Sequence, residues 1–144
     1  MKTLNRKIFI GDIHWCFDEF MLLLKKLDIS KNDLIFLTWD LISKWPKSLK
    51  VLKYIYKHRD QFIFVKWNKE FELLEAIRLD KYYSKEEKKL WTKLQKKYPE
   101  LLRFIKKAPY YFEHKNFLLV HAWIIPWKAL NDHSPLELCY LRDY

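Results

Sequence analysis

Asp12 and His14 stand two residues apart, just past an apolar run, Ile8-Phe9-Ile10, that stops at Gly11. On an extended backbone, residues two apart point to the same side. A carboxylate oxygen and an imidazole on one side of a strand end suit a divalent transition metal. The arrangement recurs down the chain. Leu34-Ile35-Phe36-Leu37 runs into Thr38-Trp39-Asp40, and Phe62-Ile63-Phe64-Val65 into Lys66-Trp67-Asn68. Phe117-Leu118-Leu119-Val120 runs into His121-Ala122-Trp123. A carboxylate can bridge two ions, and two metals about 3.5–4 Å apart can activate a water and clamp a phosphoryl oxygen.

These side chains need strands to carry them, and the pattern supplies strands. An apolar run that ends in a polar loop reads as a buried strand. Between the first and second runs, Phe17 to Leu27 has near-helical apolar spacing, with Asp18 and Glu19 in the first turn, where the helix dipole favours them. A turn follows at Ile29 to Asp33. Pro46 suits the first turn of a second helix, whose inner side is Leu49, Val51, Leu52 and Ile55. Three strand–loop–helix units in sequence predict an α/β fold with a mostly parallel sheet. Ligands of such sheets bind at the carboxyl ends of the strands, where Asp12, His14, Asp40 and Asn68 fall. Glu70 to Leu79 reads as a helix, and Ser84 to Tyr98 as another, opened by a capping box at Ser84-Lys85-Glu86-Glu87. Leu101 to Ile105 reads as a short helix. Tyr110 to Glu113 and Phe117 to Val120 read as a hairpin around His114-Lys115-Asn116, and Pro126 to Tyr144 as loop plus a short helix.

The 144 residues are expected to form a single domain spanning 1–144. Half are hydrophobic, enough for a substantial core, yet no stretch approaches the ~20 apolar residues of a membrane span. Met1 to Arg6 is polar and runs directly into the first strand, so no signal peptide is expected. Cys16 and Cys139 make neither a disulfide framework nor a Cys-x-x-Cys pair, which points to a reduced, cytoplasmic setting. The net charge of +10 comes mostly from lysines spread along the chain. Solvated helix faces account for them, and a nucleic-acid partner is the less favoured alternative. One glycine and seven tryptophans make the composition abnormal, since glycine averages about 7%.

The ordered set of strand-end motifs resembles the calcineurin-like metallophosphoesterases, nearest the branch of symmetrical diadenosine tetraphosphatases and serine/threonine phosphoprotein phosphatases. The matching segments are Gly11-Asp12-Ile13-His14-Trp15, Trp39-Asp40-Leu41-Ile42-Ser43-Lys44-Trp45-Pro46, Trp67-Asn68-Lys69-Glu70 and His121-Ala122-Trp123. The resemblance covers residues 7–144. It implies a layered α-β-β-α sandwich with the metal site at the strand carboxyl ends. Asp12, His14 and Asp40 would hold one divalent metal, and Asp40, Asn68 and His121 the other, with manganese, iron, zinc or cobalt as candidates. It also suggests Lys44 and Arg142 as phosphate contacts. A metal-bridging hydroxide would attack a phosphate ester or anhydride. The substrate would be a dinucleoside polyphosphate, such as diadenosine tetraphosphate, or a phosphoprotein.

The departures from the family pattern are as specific as the matches. Trp15, Trp39, Trp45, Trp67 and Trp123 stand where the family has glycine, and Trp127 follows Pro126 where relatives often have Pro-Gly. Such glycines permit positive φ and let backbone approach a ligand closely. A source that reads UGA as glycine, translated here with UGA as tryptophan, would explain the missing glycines and the surplus tryptophans together. A tryptophan-rich pocket that stacks on a base is the alternative. Lys69 replaces the histidine that serves the family as general acid; an ordinary lysine, with a pKa near 10.4, is a poor acid at neutral pH, but two neighbouring cations would lower that value, so proton donation and simple phosphate holding both stand. Ser43 replaces that histidine's aspartate partner. A later Gly-His-Thr/Ser segment, whose histidine completes the second metal site, has no counterpart, and His133 comes too early. The chain is therefore expected to be the N-terminal part of the fold, with impaired activity as written. A non-catalytic module holding nucleotide or RNA, or a non-functional gene fragment, stands as the alternative.

Overall fold

A computed structural model describes residues 6–11, 13–14, 16–37, 47–82 and 84–143. Three short strands, β1 (Lys7–Ile10), β2 (Leu34–Leu37) and β3 (Phe62–Phe64), form a parallel sheet in the order β1-β2-β3. Helix α1 (Phe17–Lys26) connects the first pair, and α2 (Lys47–Lys57) lies between the second. Helices α3 (Asn68–Leu79), α4 (Lys85–Lys97) and α5 (Pro99–Lys107) follow, then an antiparallel hairpin of β4 (Tyr111–His114) and β5 (Phe117–Val120), and α6 (Pro135–Tyr140). The predicted α/β class, parallel pairing and hairpin are all present. The differences lie at the element ends: α3 begins at Asn68 rather than Glu70, and α5 extends the short helix to Pro99–Lys107. Pro99 is tolerated there because the first turn of a helix has no use for its missing N–H.

The alternation of β2 explains how the layers stack. Ile35 and Leu37 face the helices and are fully buried with Val51, Leu52, Ile55, Leu94, Leu101 and Ile105. Phe36 points to the other face and joins Val65, Trp67 and Leu119, against Phe112 and Phe117 of the hairpin. Successive strand residues point to opposite faces, so one continuous apolar run serves two cores. The order is helices, parallel sheet, antiparallel hairpin. Each fully buried aliphatic side chain contributes roughly 1.5–3 kcal/mol. Trp91, which matches no motif, is buried in the helix-side core of α4 beside Leu90 and Leu94.

Local chemistry fixes the ends of these elements. Ser84 caps α4, its hydroxyl accepting from the Glu87 N–H at 3.1 Å, as the sequence predicts. Ser134 and Glu137 form a full capping box on α6. The starts of β1 and β2 are pinned together. The Arg6 backbone N–H and guanidinium both donate to the Asp33 carboxylate, and the Ser30 N–H donates to it at 2.8 Å. These bonds, the Arg6 side chain first, hold the Asp33 carboxyl far below the usual carboxylate range.

Candidate metal and phosphate site

The carboxyl ends of β1 and β3 flank that of β2. Neighbouring strands lie about 4.8 Å apart, so residues leaving β1 and β3 start about 10 Å from each other. His14 leaves β1 in a turn with φ +48°. The two-residue alternation expected to set Asp12 and His14 on one side therefore does not extend to His14, which is in a turn rather than an extended segment. Positive φ at a non-glycine residue costs about 1–2 kcal/mol. The other two such residues among those described, Asp28 and Asp80, follow the last turns of α1 and α3. Asp12, Asp40 and Lys44, together with Trp15, Trp39, Ser43 and Trp45, lie outside the described residues.

Asn68 is the first residue of α3, delivered there by the end of β3. Its Oδ1 is buried and accepts no hydrogen bond. A buried acceptor left unsatisfied costs roughly 1–3 kcal/mol, and a cation at that atom would remove the cost. His121 follows β5 and is buried. The indole of Trp67, adjacent to Asn68 in the chain, stacks on the His121 imidazole with ring centroids 4.8 Å apart and 23° between planes. The stack sets His121 against the residue that precedes Asn68 in the chain. Among the described residues, no cluster of three or more His, Cys, Asp or Glu side chains forms a metal site. An amide oxygen, two imidazoles and two carboxylates are nonetheless a hard-to-borderline donor set suited to divalent ions, and the buried Asn68 oxygen fits that role.

The tryptophans at glycine positions behave differently from one another. Trp67 has φ −130° and ψ −176°, extended backbone that any residue adopts, so position 67 does not need a left-handed residue. Its side chain, 1% exposed, instead fills the space over His121. Trp123 and Trp127 are 58% and 78% exposed and fill no interior space.

Lys69 sits one residue into α3, with its ammonium 2.7 Å from Glu72 Oε2. The other carboxylate oxygen, Oε1, accepts from the Tyr140 hydroxyl at 2.8 Å. Glu72 thus joins Lys69 to α6. The Lys69–Glu72 pair has helical spacing only because α3 begins at Asn68 rather than Glu70, and Tyr140, 68 residues from Glu72, gave no signal in the sequence. The segment after α6 is tied to the loop after β5: Ala122 N–H donates to Leu138 O at 3.2 Å and Trp123 N–H to Leu141 O at 3.0 Å. Arg142, which follows Leu141 directly, is exposed.

Other titratable groups nearby are structural. His133 is buried, with Nε2 accepting from Ile125 N–H at 2.9 Å and Nδ1 placed to donate to Ala129 O at 3.0 Å. Both nitrogens are thereby used in holding the loop, in agreement with its exclusion as a ligand. Lys66 is buried, donates to Lys106 O at 3.1 Å, and lies 4.2 Å from the Tyr110 ring centroid. Burial lowers its pKa from the usual lysine value. Burial, with the negative charge of Glu70 behind it, pushes the Cys139 thiol up to about 12, so it is inert as a nucleophile.

The parallel sheet delivers Asn68 and then Lys69 at the end of β3, and the antiparallel hairpin delivers His121 at the end of β5. The chain belongs to the calcineurin-like phosphoesterase family, whose description matches residues 6–142. The family generally uses a dinuclear divalent metal centre. Among curated proteins, the chain is 46% identical over 54 residues to a symmetrical bis(5'-nucleosyl)-tetraphosphatase of Buchnera aphidicola subsp. Acyrthosiphon pisum, covering 37% of this chain and 20% of that protein. It is 56% identical over 46 residues to the enzyme of the same name from Hamiltonella defensa, covering 31% of this chain and 17% of that protein. The chain therefore matches about a fifth of the length of these relatives. A crystal structure of a candidate diadenosine tetraphosphatase superposes with a TM-score of 0.70 at 21% identity, over 91% of this chain and 56% of that one. This likeness shows the fold.

No helix among the described residues is long and apolar enough to cross a membrane.

Proposed function

We propose that this chain carries a metal-dependent phosphoesterase site that cleaves a phosphate anhydride, with a dinucleoside polyphosphate as the substrate class. The carrying observation is the buried Asn68 Oδ1, an acceptor without a hydrogen-bond partner at the end of β3. Asp12, His14 and Asp40 would hold one divalent ion, and Asp40, Asn68 and His121 the other. Divalent ions so held supply Lewis-acid polarisation of a phosphoryl oxygen and an activated water. The support for a dinucleoside polyphosphate is the name shared by the curated relatives, which match only part of their length.

The chain's own cations do the rest. Lys69 stands next to Asn68 and is held by Glu72, so its role is to keep a positive charge against phosphate oxygens rather than to give up a proton. Arg142, and Lys44 by its position in the motif, would engage the equatorial oxygens of the same group, which an arginine can do bidentately. Glu72 and Tyr140 act through Lys69 by fixing its rotamer.

A second reading, nucleotide binding without hydrolysis, draws on the Trp67 indole that covers His121. One assay separates the two. Manganese-dependent hydrolysis of p-nitrophenyl phosphate and diadenosine tetraphosphate is measured for the chain, its Trp67→Gly form and an Asp40→Asn control. Turnover above the control in either form supports the hydrolase. No turnover in both, with nucleotide binding retained, overturns it in favour of the second reading.

A further inference from the structure

Helix α4 carries six lysines, Lys85, Lys88, Lys89, Lys93, Lys96 and Lys97, and its two glutamates, Glu86 and Glu87, both lie in the first turn. The lysines recur at i, i+4 as Lys85–Lys89, Lys89–Lys93 and Lys93–Lys97, so three like-charge pairs stack along one face. Each such pair destabilises a helix by about 0.2–0.5 kcal/mol. A shallow groove of about 460 Å³ runs along this lysine face.

The face is completed by a second helix. Lys53 of α2 sits over the Tyr98 ring, 3.9 Å from its centroid, at the junction of α4 and α5. Lys53 first, then the positive charges of Lys93 and Lys97, pull the Tyr98 hydroxyl below its usual pKa. Lysines of two helices thus place positive charge around one phenol, with Lys53 directly on its ring. Among the described residues, neither Lys53 nor Lys97 forms a salt bridge to a carboxylate. At the other end of the face, Lys88 lies 5.3 Å from the Tyr82 ring centroid. Lys88 and Tyr98, ten positions apart, are separated by about 15 Å along the helix.

We infer that the α2–α4 face, centred on Lys53, Lys93, Lys97 and Tyr98, binds the phosphodiester backbone of a nucleic acid. A linear polyanion matches a linear cation array, offsets its self-repulsion and releases counterions. A lipid surface fits less well, because amphipathic membrane helices bury exposed apolar side chains and α4 exposes none of the large ones. The face is built from α2, α4 and α5, separate from the strand ends that carry Asn68 and His121.

The test uses fluorescence anisotropy with a labelled single-stranded oligouridylate. Binding should weaken at least tenfold between about 50 and 200 mM salt. Lys53→Gln/Lys93→Gln/Lys97→Gln should lower the log–log salt slope by about 2, at roughly 0.7 per phosphate neutralised. A matched-charge control, Lys25→Gln/Lys26→Gln/Lys31→Gln, should leave it unchanged, with circular dichroism confirming that both variants fold. The inference is overturned by absence of binding at the lower salt, by equal loss in the two triple variants, or by anionic vesicles of phosphatidylserine and phosphatidylcholine outcompeting the oligonucleotide.

Discussion

Trp67 and His121 lie face to face, 4.8 Å between ring centroids, across the gap between the end of β3 and the end of β5. The stack joins a residue at a family glycine position to a candidate metal ligand. A ring nitrogen coordinates in the plane of the imidazole, so a stacked indole does not block coordination by itself. It does fix where the imidazole lies and fills the volume beside it.

Replacing Trp67 with glycine should therefore have two opposite effects. Removing a fully buried indole should destabilise the fold by about 3–5 kcal/mol, read from the denaturation midpoint. Manganese affinity, measured by calorimetry, should rise as His121 gains freedom to turn towards Asn68. His121→Ala, made on either background, should lower that affinity at least tenfold, in the range seen when metal-site groups are removed.

The coding DNA should carry UGA at the motif tryptophans 15, 39, 45, 67 and 123, and the protein isolated from its source should have glycine there by peptide mass spectrometry. UGG codons and tryptophan masses would make the indoles genuine. The structure narrows the physical meaning of this prediction. Position 67 needs no positive φ, so what glycine would provide there is close approach rather than backbone freedom.

Glu72 uses both oxygens, one on Lys69 and one on Tyr140. Tyr140→Phe should cost about 1 kcal/mol or less, as expected for a solvent-exposed hydrogen bond. It should also raise KM more than it lowers kcat if Lys69 binds phosphate in the ground state. Glu72→Gln should weaken the hold on Lys69 further, and Lys69→Arg should restore binding that Lys69→Ala loses.

Acid should melt the α6 region early. The hydrogen bond from Lys128, followed by those from Ser134, lowers the Glu137 carboxyl from 4.5 to about 2. Because the folded-state value is depressed, its contribution is complete above about 4.5 and is lost as pH falls towards about 2. Amide protection in α6, corrected for the intrinsic exchange rate, should fall across that window, and Glu137→Gln should remove that pH dependence of the protection. Unchanged pH dependence in the variant would assign the transition to another group, such as Asp33.

The order of the strand-end motifs, the parallel βαβ rhythm and the hairpin were all legible in the chain, because apolar runs and their polar stops are local signals. Burial of Leu34 to Leu37 on both faces was legible for the same reason. So was the Ser84 cap, since a capping residue and its helix are neighbours in sequence. Element ends were less legible: Asn68 starts α3 because β3 ends just before it, and no local residue marks that boundary.

Contacts between distant segments were left to the tertiary structure. Trp67 on His121, Tyr140 on Glu72, and Lys53 on Tyr98 each join residues whose separation carries no periodicity. Their energies depend on which faces meet after the helices dock, and docking is decided by the summed burial of both cores rather than by any one stretch. The left-handed turn at His14 belongs here too, since a non-glycine residue holds positive φ only when its surroundings over-determine it. The sequence by itself determined which side chains could serve a metal and the order in which strands would present them. The tertiary structure decided what stands beside those side chains, because packing brings together groups that chain connectivity keeps apart.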